Sequence, residues 1–352
     1  MSEASVNTPY PPDLLVARPL LPRIVFGSTI LGNLFVQLSD AEKRQLIQAW
    51  LHAVPSPIAI DSAGKYGAGL ALEVLGRELG NLGISSSQVI ISNKLGWRRT
   101  SLVGQEPTFE PGVWHGLKHD AVQDISYHGI LRCWEEGCEL LGNYTPQLLS
   151  VHDPDEYLAA AVDSNDRKRR LDDILAAYDA LYELRDSGKA LAIGIGCKDW
   201  RIVRELNQLC KFDWVMLANS FTIMSHPRDL IELMDSLATR KIPIINSAIL
   251  HGGFLSGGNF FDYQPLNADT PLDSKRLAWR QSFYRFCESQ HVDPFNVAVA
   301  FGLSHPGIKS IALSTSRPER VQSLVTAVTQ PLPVELWNAL QQSGLITKSS
   351  LA

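Results

Sequence analysis

The chain has 352 residues, 45% of them apolar and 20% charged, the composition of a globular protein with room for a large core. Its 32 Lys and Arg against 37 Asp and Glu leave a net charge of −5, which argues against both a disordered chain and the basic face of a nucleic-acid binder. Apolar runs such as residues 242–250 fall short of a membrane span, and the opening MSEASVNTPYPPDLL lacks the apolar core of a signal peptide. Five cysteines (Cys133, Cys138, Cys197, Cys210, Cys287) stand at unrelated spacings. They suit neither a metal cluster nor a disulfide framework, so a reduced, cytoplasmic protein is expected.

In chain order, short aliphatic and β-branched runs predict strands at 24–27, 58–61, 89–94, 148–152, 191–196, 215–219, 242–247 and 308–313. Their lack of polar alternation is the mark of strands buried on both faces, hence a parallel sheet. Amphipathic segments predict helices over 40–53, 71–80, 130–141, 171–187, 275–289, 294–304 and 318–326. Ser39 and Asp40 are available to cap the first helix, and Gly188 stops the fourth. The β-then-α alternation predicts a single-domain (β/α)₈ TIM barrel, with residues 1–20 as a flexible or capping segment. Residues 26–32 lack the GxGxxG that a Rossmann domain requires. Residues 96–127 carry too little apolar periodicity for a helix and read as a long loop that shapes a substrate pocket.

In such a barrel reactive groups belong at the carboxyl ends of strands. Asp61, Lys94 and His152 end three successive strands, and Tyr66 follows Asp61 in the next loop. These types suit proton transfer coupled to hydride transfer at a carbonyl. A tyrosine that titrates near pH ~10 needs a neighbouring ammonium to act at neutrality. A carboxylate would hold that ammonium, and a histidine would orient the substrate oxygen. The roles are Tyr66 as acid/base, Lys94 as activator, Asp61 as the lysine's partner and His152 as clamp.

Asp61 with Tyr66-Gly67, Leu75-Gly76, Ser92-Asn93-Lys94 and Val151-His152-Asp153 resemble the signature of the aldo-keto reductases, in order and spacing over about residues 22–327. Residues 124–132, 151–155, 180–185, Gly188-Lys189 and 192–196 are similar to a narrower branch, which includes aldose 1-dehydrogenases, L-fucose and galactose dehydrogenases and pyridoxal 4-dehydrogenase. The resemblance implies a nicotinamide cofactor, NAD(P)(H), lying across the barrel mouth without a Rossmann domain. Its contacts would be Gly196, Asn219 on the carboxamide, Ser247, Leu250, Gly253 and Leu255 in the loop after the seventh strand, and Ser314, Thr315, Ser316, Arg317 and Arg320 after the eighth. That last segment has the hydroxyls, amides and arginines that attract phosphate at a helix start. Where the family often has Ser-Asn after the fifth strand this chain has Gly196-Cys197, and Ser247 replaces the aromatic that stacks on nicotinamide. The usual phosphate-binding lysine is missing, which favours NAD, while Arg317 and Arg320 keep NADP open.

The expected reaction is oxidation of an aldose at C1 to its lactone, on a small carbonyl or sugar substrate, with no nucleic-acid or membrane partner. Two alternatives stand beside it: an NADPH-dependent reductase of small aldehydes and ketones, and a nicotinamide-binding sensor or partner subunit without turnover. No metal is expected. His115 and His119 have the i, i+4 spacing of helical ligands but sit among Pro111, Gly112 and Gly116 without a companion glutamate. Cys197 is a candidate reactive thiol. Trp97 and Trp114 are candidates either for pocket walls or for anchors of the loop.

Overall fold

A computed structural model describes residues 21–347. The amino-terminal segment expected to be flexible or capping lies outside the described residues. Eight strands, β1 (Ile24–Gly27), β2 (Ile58–Ala63), β3 (Val89–Leu95), β4 (Leu148–His152), β5 (Ala192–Cys197), β6 (Trp214–Ala218), β7 (Ile244–Ser247) and β8 (Ile308–Leu313), close into a barrel in the order β1-β8-β7-β6-β5-β4-β3-β2. Every neighbouring pair is parallel, as the unbroken apolar runs predict.

Around it lie α1 (Asp40–Ala53), α2 (Leu70–Asn81), α3 (Tyr127–Leu141), α4 (Pro154–Ala159), α5 (Ser164–Asp186), α6 (Trp200–Leu206), α7 (Arg228–Thr239), α8 (Pro271–Ser289), α9 (Pro294–Gly302), α10 (Val321–Thr329) and α11 (Val334–Gln342). Helix α1 starts where Ser39 and Glu42 exchange side-chain and backbone hydrogen bonds in a capping box. Its Trp50 stacks on Phe26 of β1, ring centroids 5.5 Å apart. This is one contact of a continuous apolar layer between barrel and helices. A smaller cluster fills the barrel interior: Val25, Ala59, Leu148, Ala192, Trp214, Met216 and Ile245, so the barrel is packed at its base and open above.

The structure corrects several boundaries. Helix α5 begins at Ser164, well before the predicted start, because Asp163 caps it by accepting from the Asp166 amide. Arg170 and Arg169 then pair with Asp166 and hold a first turn that has no apolar stripe to announce it. Strand β7 begins after Pro243, whose ring lacks the amide a ladder needs. Residues 318–320 form a 3₁₀ turn before α10. The segment 96–127 is not a structureless loop. Trp97–Ser101 and His119–Gln123 pair antiparallel as a hairpin that follows the end of β3, built mostly of part-exposed residues whose pattern is neither buried-strand nor helical. Among the described residues no helix is long and apolar enough to cross a membrane.

Candidate active site

Strand register brings the reactive residues together. Gly27 lies beside Asp61, Asp61 beside Ser92, Ala63 beside Lys94, Lys94 beside Ser150, and His152 beside Gly196. Side chains alternate in and out along a strand. Ala59 and Leu148 belong to the interior cluster, so Asp61 and His152, at even spacing from them, also face inward, above that cluster. Tyr66 arrives from the loop after β2. Gly67 has φ 61°, and a Cβ there would lie 2.4 Å from the Gly32 carbonyl oxygen; a Cβ on Gly32 would lie 2.8 Å from the Tyr66 carbonyl. Two glycines thus let this loop nest against the turn after β1, which sets where the phenol stands.

Lys94 Nζ donates to Asp61 Oδ2 at 2.5 Å and to the Ser62 carbonyl at 3.3 Å. Ser92 Oγ donates to Asp61 Oδ1 at 3.2 Å, and the Tyr66 hydroxyl reaches Asp61 Oδ2 at 3.5 Å. The ammonium also lies 4.6 Å from the centroid of the Tyr66 ring, and the His152 ring meets that ring edge-on at 5.6 Å. Asp61, Lys94 and His152 are all buried. Space for the lysine comes from Gly196, where a Cβ would stand 2.8 Å from Lys94 Cδ.

Burial, reinforced by Lys94, Lys65 and Lys198, holds His152 well below the usual imidazole pKa, so the ring is neutral at physiological pH. Its Nδ1 is buried without a partner. The phenol departs from expectation. Burial first, then the carboxylate of Asp61, pushes Tyr66 well above 10. Lys94 is committed to Asp61 and sits over the ring, so it does not outweigh this, and Tyr66 rests as the protonated acid.

Above these residues lies a cavity of about 1020 Å³. Its wall includes the four residues just described and every residue expected to contact a cofactor: Gly196, Asn219, Ser247, Leu250, Gly253, Leu255, Ser314, Thr315, Ser316, Arg317 and Arg320. The residues fit a nicotinamide dinucleotide. Asn219, in a left-handed conformation at φ 57°, keeps a buried Oδ1 with no partner, an acceptor suited to an amide. Arg317 and Arg320 are exposed at the far end, and neither guanidinium forms an ion pair among the described residues. The loop after β7 crosses the mouth. His251 ties it down by bonding Thr222 Oγ1 at 3.0 Å and Asp262 Oδ1 at 3.0 Å, and Phe260 stacks on Phe35 from the opposite side at 4.6 Å.

Sequence reasoning missed a second charged group on the wall. Lys65 Nζ pairs with Glu110 at 2.7 Å and Glu156 at 3.1 Å, and lies 3.8 Å from Asp153. Lys198 Nζ pairs with Asp153 at 3.1 Å and Glu156 at 2.5 Å. These residues are far apart in sequence. The only local signal is that Lys65, Asp153 and Lys198 each follow the carboxyl end of a barrel strand.

Trp114 is a wall: it lines the cavity and stacks on Tyr66 at 6.1 Å, with Nε1 donating to Glu110. Trp97 is an anchor, packed on Phe109 at 5.8 Å. Cys197 is buried and pushed well above an ordinary thiol by burial and Asp155, so it is no thiolate nucleophile. His119 lies in the hairpin and His115 outside any helix. No group of three or more metal-ligating side chains is gathered among the described residues.

A closed parallel barrel with a carboxylate–ammonium pair, a phenol and a neutral imidazole at the mouth of one large cavity defines a barrel-type oxidoreductase. The sequence model of the aldo/keto reductase family matches residues 23–344, and the chain belongs to that family, whose members use NAD(P)(H). It is 27% identical over 334 residues to pyridoxal 4-dehydrogenase of Microbacterium luteolum, covering 91% of this chain and 93% of that one. It is 25% identical over 340 residues to D-threo-aldose 1-dehydrogenase of a Pseudomonas species, covering 93% and 95%. Both match the branch the motifs resemble. In fold it is similar to the glycerol dehydrogenase of Gluconobacter oxydans (TM-score 0.65, 18% identity, 93% of each chain). An aldo-keto reductase of Bacillus halodurans in its holo form is likewise similar (TM-score 0.66, 17% identity, 94% and 93%).

Proposed function

We propose that the chain is an NAD-dependent dehydrogenase that oxidises an aldose at C1 to the lactone. The observation that carries the reading is the convergence of Tyr66, the Lys94–Asp61 pair and His152 on one cavity wall that continues into Asn219 and the loop after β8. The names of the two curated relatives, one an aldose 1-dehydrogenase, support it. A bound nicotinamide supplies the hydride acceptor.

The protein's own residues do the rest. Neutral His152 donates one ring N–H to the substrate oxygen and so fixes its position relative to Tyr66. Tyr66 exchanges a proton with that oxygen: as phenol it donates during carbonyl reduction, as phenolate it accepts during oxidation. Lys94 favours the phenolate as it forms, and Asp61 holds Lys94 in place. The apolar faces of Trp114 and Phe35 on the wall exclude water from the reacting atoms.

The test is turnover and cofactor binding in Tyr66→Phe. The reading predicts a loss of about 10²–10⁴ in kcat with nicotinamide affinity retained. Normal turnover would overturn it. Arg317 and Arg320 at the far end of the cavity favour a second reading, an NADPH-dependent reductase of simple aldehydes. It predicts tight NADPH binding and no oxidation of aldoses.

A further inference from the structure

The residue after His152 is held in an unusual state. Asp153 adopts the left-handed conformation (φ 48°, ψ 54°) at the start of α4, yet its carboxylate caps no amide of that helix, although an aspartate there commonly does. A left-handed conformation is uncommon for a non-glycine residue. The conformation turns a buried carboxylate into the cavity wall instead. There Oδ2 lies 3.6 Å from His152 Nε2, too far for a hydrogen bond, and 3.1 Å from Lys198 Nζ.

The charges around it are answered from several elements. Burial opposes the charged form of Lys65, but Asp153, Glu110 and Glu156 hold its pKa above the ordinary value. Lys198 is held up likewise by Asp153 and Glu156. Lys65 and Lys198, facing Asp153 and Glu110 on the wall and Glu156 from outside the cavity lining, form a cluster with one net negative charge. It therefore disfavours an anionic substrate group such as a phosphate. What it offers is an acceptor and a donor side by side, next to the imidazole that holds the reacting oxygen. A hydroxyl, which donates and accepts at once, matches that pair. The 3.6 Å between Nε2 and Oδ2 is the kind of gap that two neighbouring oxygens of one substrate can bridge.

Resting on the dehydrogenase reading above, we propose that Asp153, with Lys198, recognises a hydroxyl on the carbon next to the reacting one, so that the enzyme selects neutral 2-hydroxy aldehydes and aldoses over deoxy and phosphorylated counterparts. A site built to bond a hydroxyl disfavours the analogue lacking it, because the hydrogen bonds the hydroxyl makes in the productive complex are then lost.

The experiment compares kcat/KM of the wild type for an aldose and its 2-deoxy counterpart with NAD, and for 2-hydroxypropanal and propanal in the reduction direction. The hydroxylated member of each pair should be preferred by about 10²-fold or more. In D153A that preference should shrink at least ~10-fold, the loss falling on the hydroxylated substrates. Equal use of both members by the wild type overturns the inference and needs no variant. So does an equal loss on both members in D153A, which is what a merely structural role gives. If no aldose is oxidised, the dehydrogenase reading fails, while the propanal pair still decides the role of Asp153.

Discussion

Lys94 and Asp61, one residue short of the end of β3 and in the upper half of β2, form a buried ion pair at 2.5 Å beneath the Tyr66 ring. The low polarity that strengthens their attraction also makes each a liability without the other. Lys94→Met leaves the Asp61 carboxylate buried with only the Ser92 and Tyr66 hydroxyls as donors, and should cost about 3–5 kcal/mol of stability as well as activity. Lys94→Met combined with Asp61→Asn should cost less than the sum of the two single changes. Denaturant titration of the three variants measures both effects. Additive losses would show that the pair is not coupled.

The pH dependence of turnover follows from the phenol. Tyr66 is raised above 10, so at neutral pH the phenolate that oxidation needs is a small fraction, growing about tenfold per pH unit. Oxidation should therefore speed up with pH across the range from 7 to about 10, while carbonyl reduction, which uses the phenol, stays flat. Steady-state kcat/KM profiles in both directions check this. A rate of oxidation that falls as pH rises over that range would contradict it.

Stability toward acid should report His152. Its folded pKa is depressed below 6.5 by burial and by Lys94. Between the folded value and 6.5 the unfolded chain binds a proton that the folded chain does not. Stability is thus fully present above about pH 6.5 and declines as pH falls, by up to ~1.4 kcal/mol per unit for each such group. Burial also lowers His226 and His305, so they share the decline. His152→Gln should remove the share of one group. Unfolding free energies at pH 5 and pH 7 measure it, and an unchanged acid loss would mean the imidazole is not linked to folding.

Much of the barrel was readable because buried parallel strands are written as unbroken apolar runs, and β1, β4 and β8 begin and end where those runs do. The convergence of Asp61, Lys94 and His152 was readable because a barrel gathers strand ends at one mouth. The hairpin over residues 97–123 was not, because its strands are mostly part-exposed and the few residues they bury, such as Ala121, make no unbroken apolar run. The first turns of α5 were missed for the same reason: charged pairs around Asp166 hold them, and they show no apolar period. The Lys65–Asp153–Lys198 group was invisible since it is assembled only when the barrel closes and brings the ends of β2, β4 and β5 to one mouth. The direction of the Tyr66 shift could not be read either, because it depends on burial and on where the ammonium points.

The far end of the cavity makes a prediction about cofactor choice. Arg317 and Arg320 carry guanidinium groups with no ion-pair partner among the described residues, the geometry that a 2′-phosphate could use. With NAD as cofactor, Arg320→Ala should change NAD affinity by less than about threefold and lower NADP affinity at least about tenfold. Fluorescence titration with each dinucleotide reads both constants. A large loss of NAD affinity would place Arg320 on the pyrophosphate instead.

The most direct measurement is to mix purified protein with NAD or NADP and a panel of free aldoses, L-fucose, D-arabinose and galactose among them, and to follow the absorbance of reduced nicotinamide. Reduction of NAD by at least one aldose, with a lactone as product and a rate lower by about 10² or more in Tyr66→Phe, is the result this account predicts. Turnover confined to simple aldehydes with NADPH, or dinucleotide binding with no turnover of any carbonyl, would contradict it.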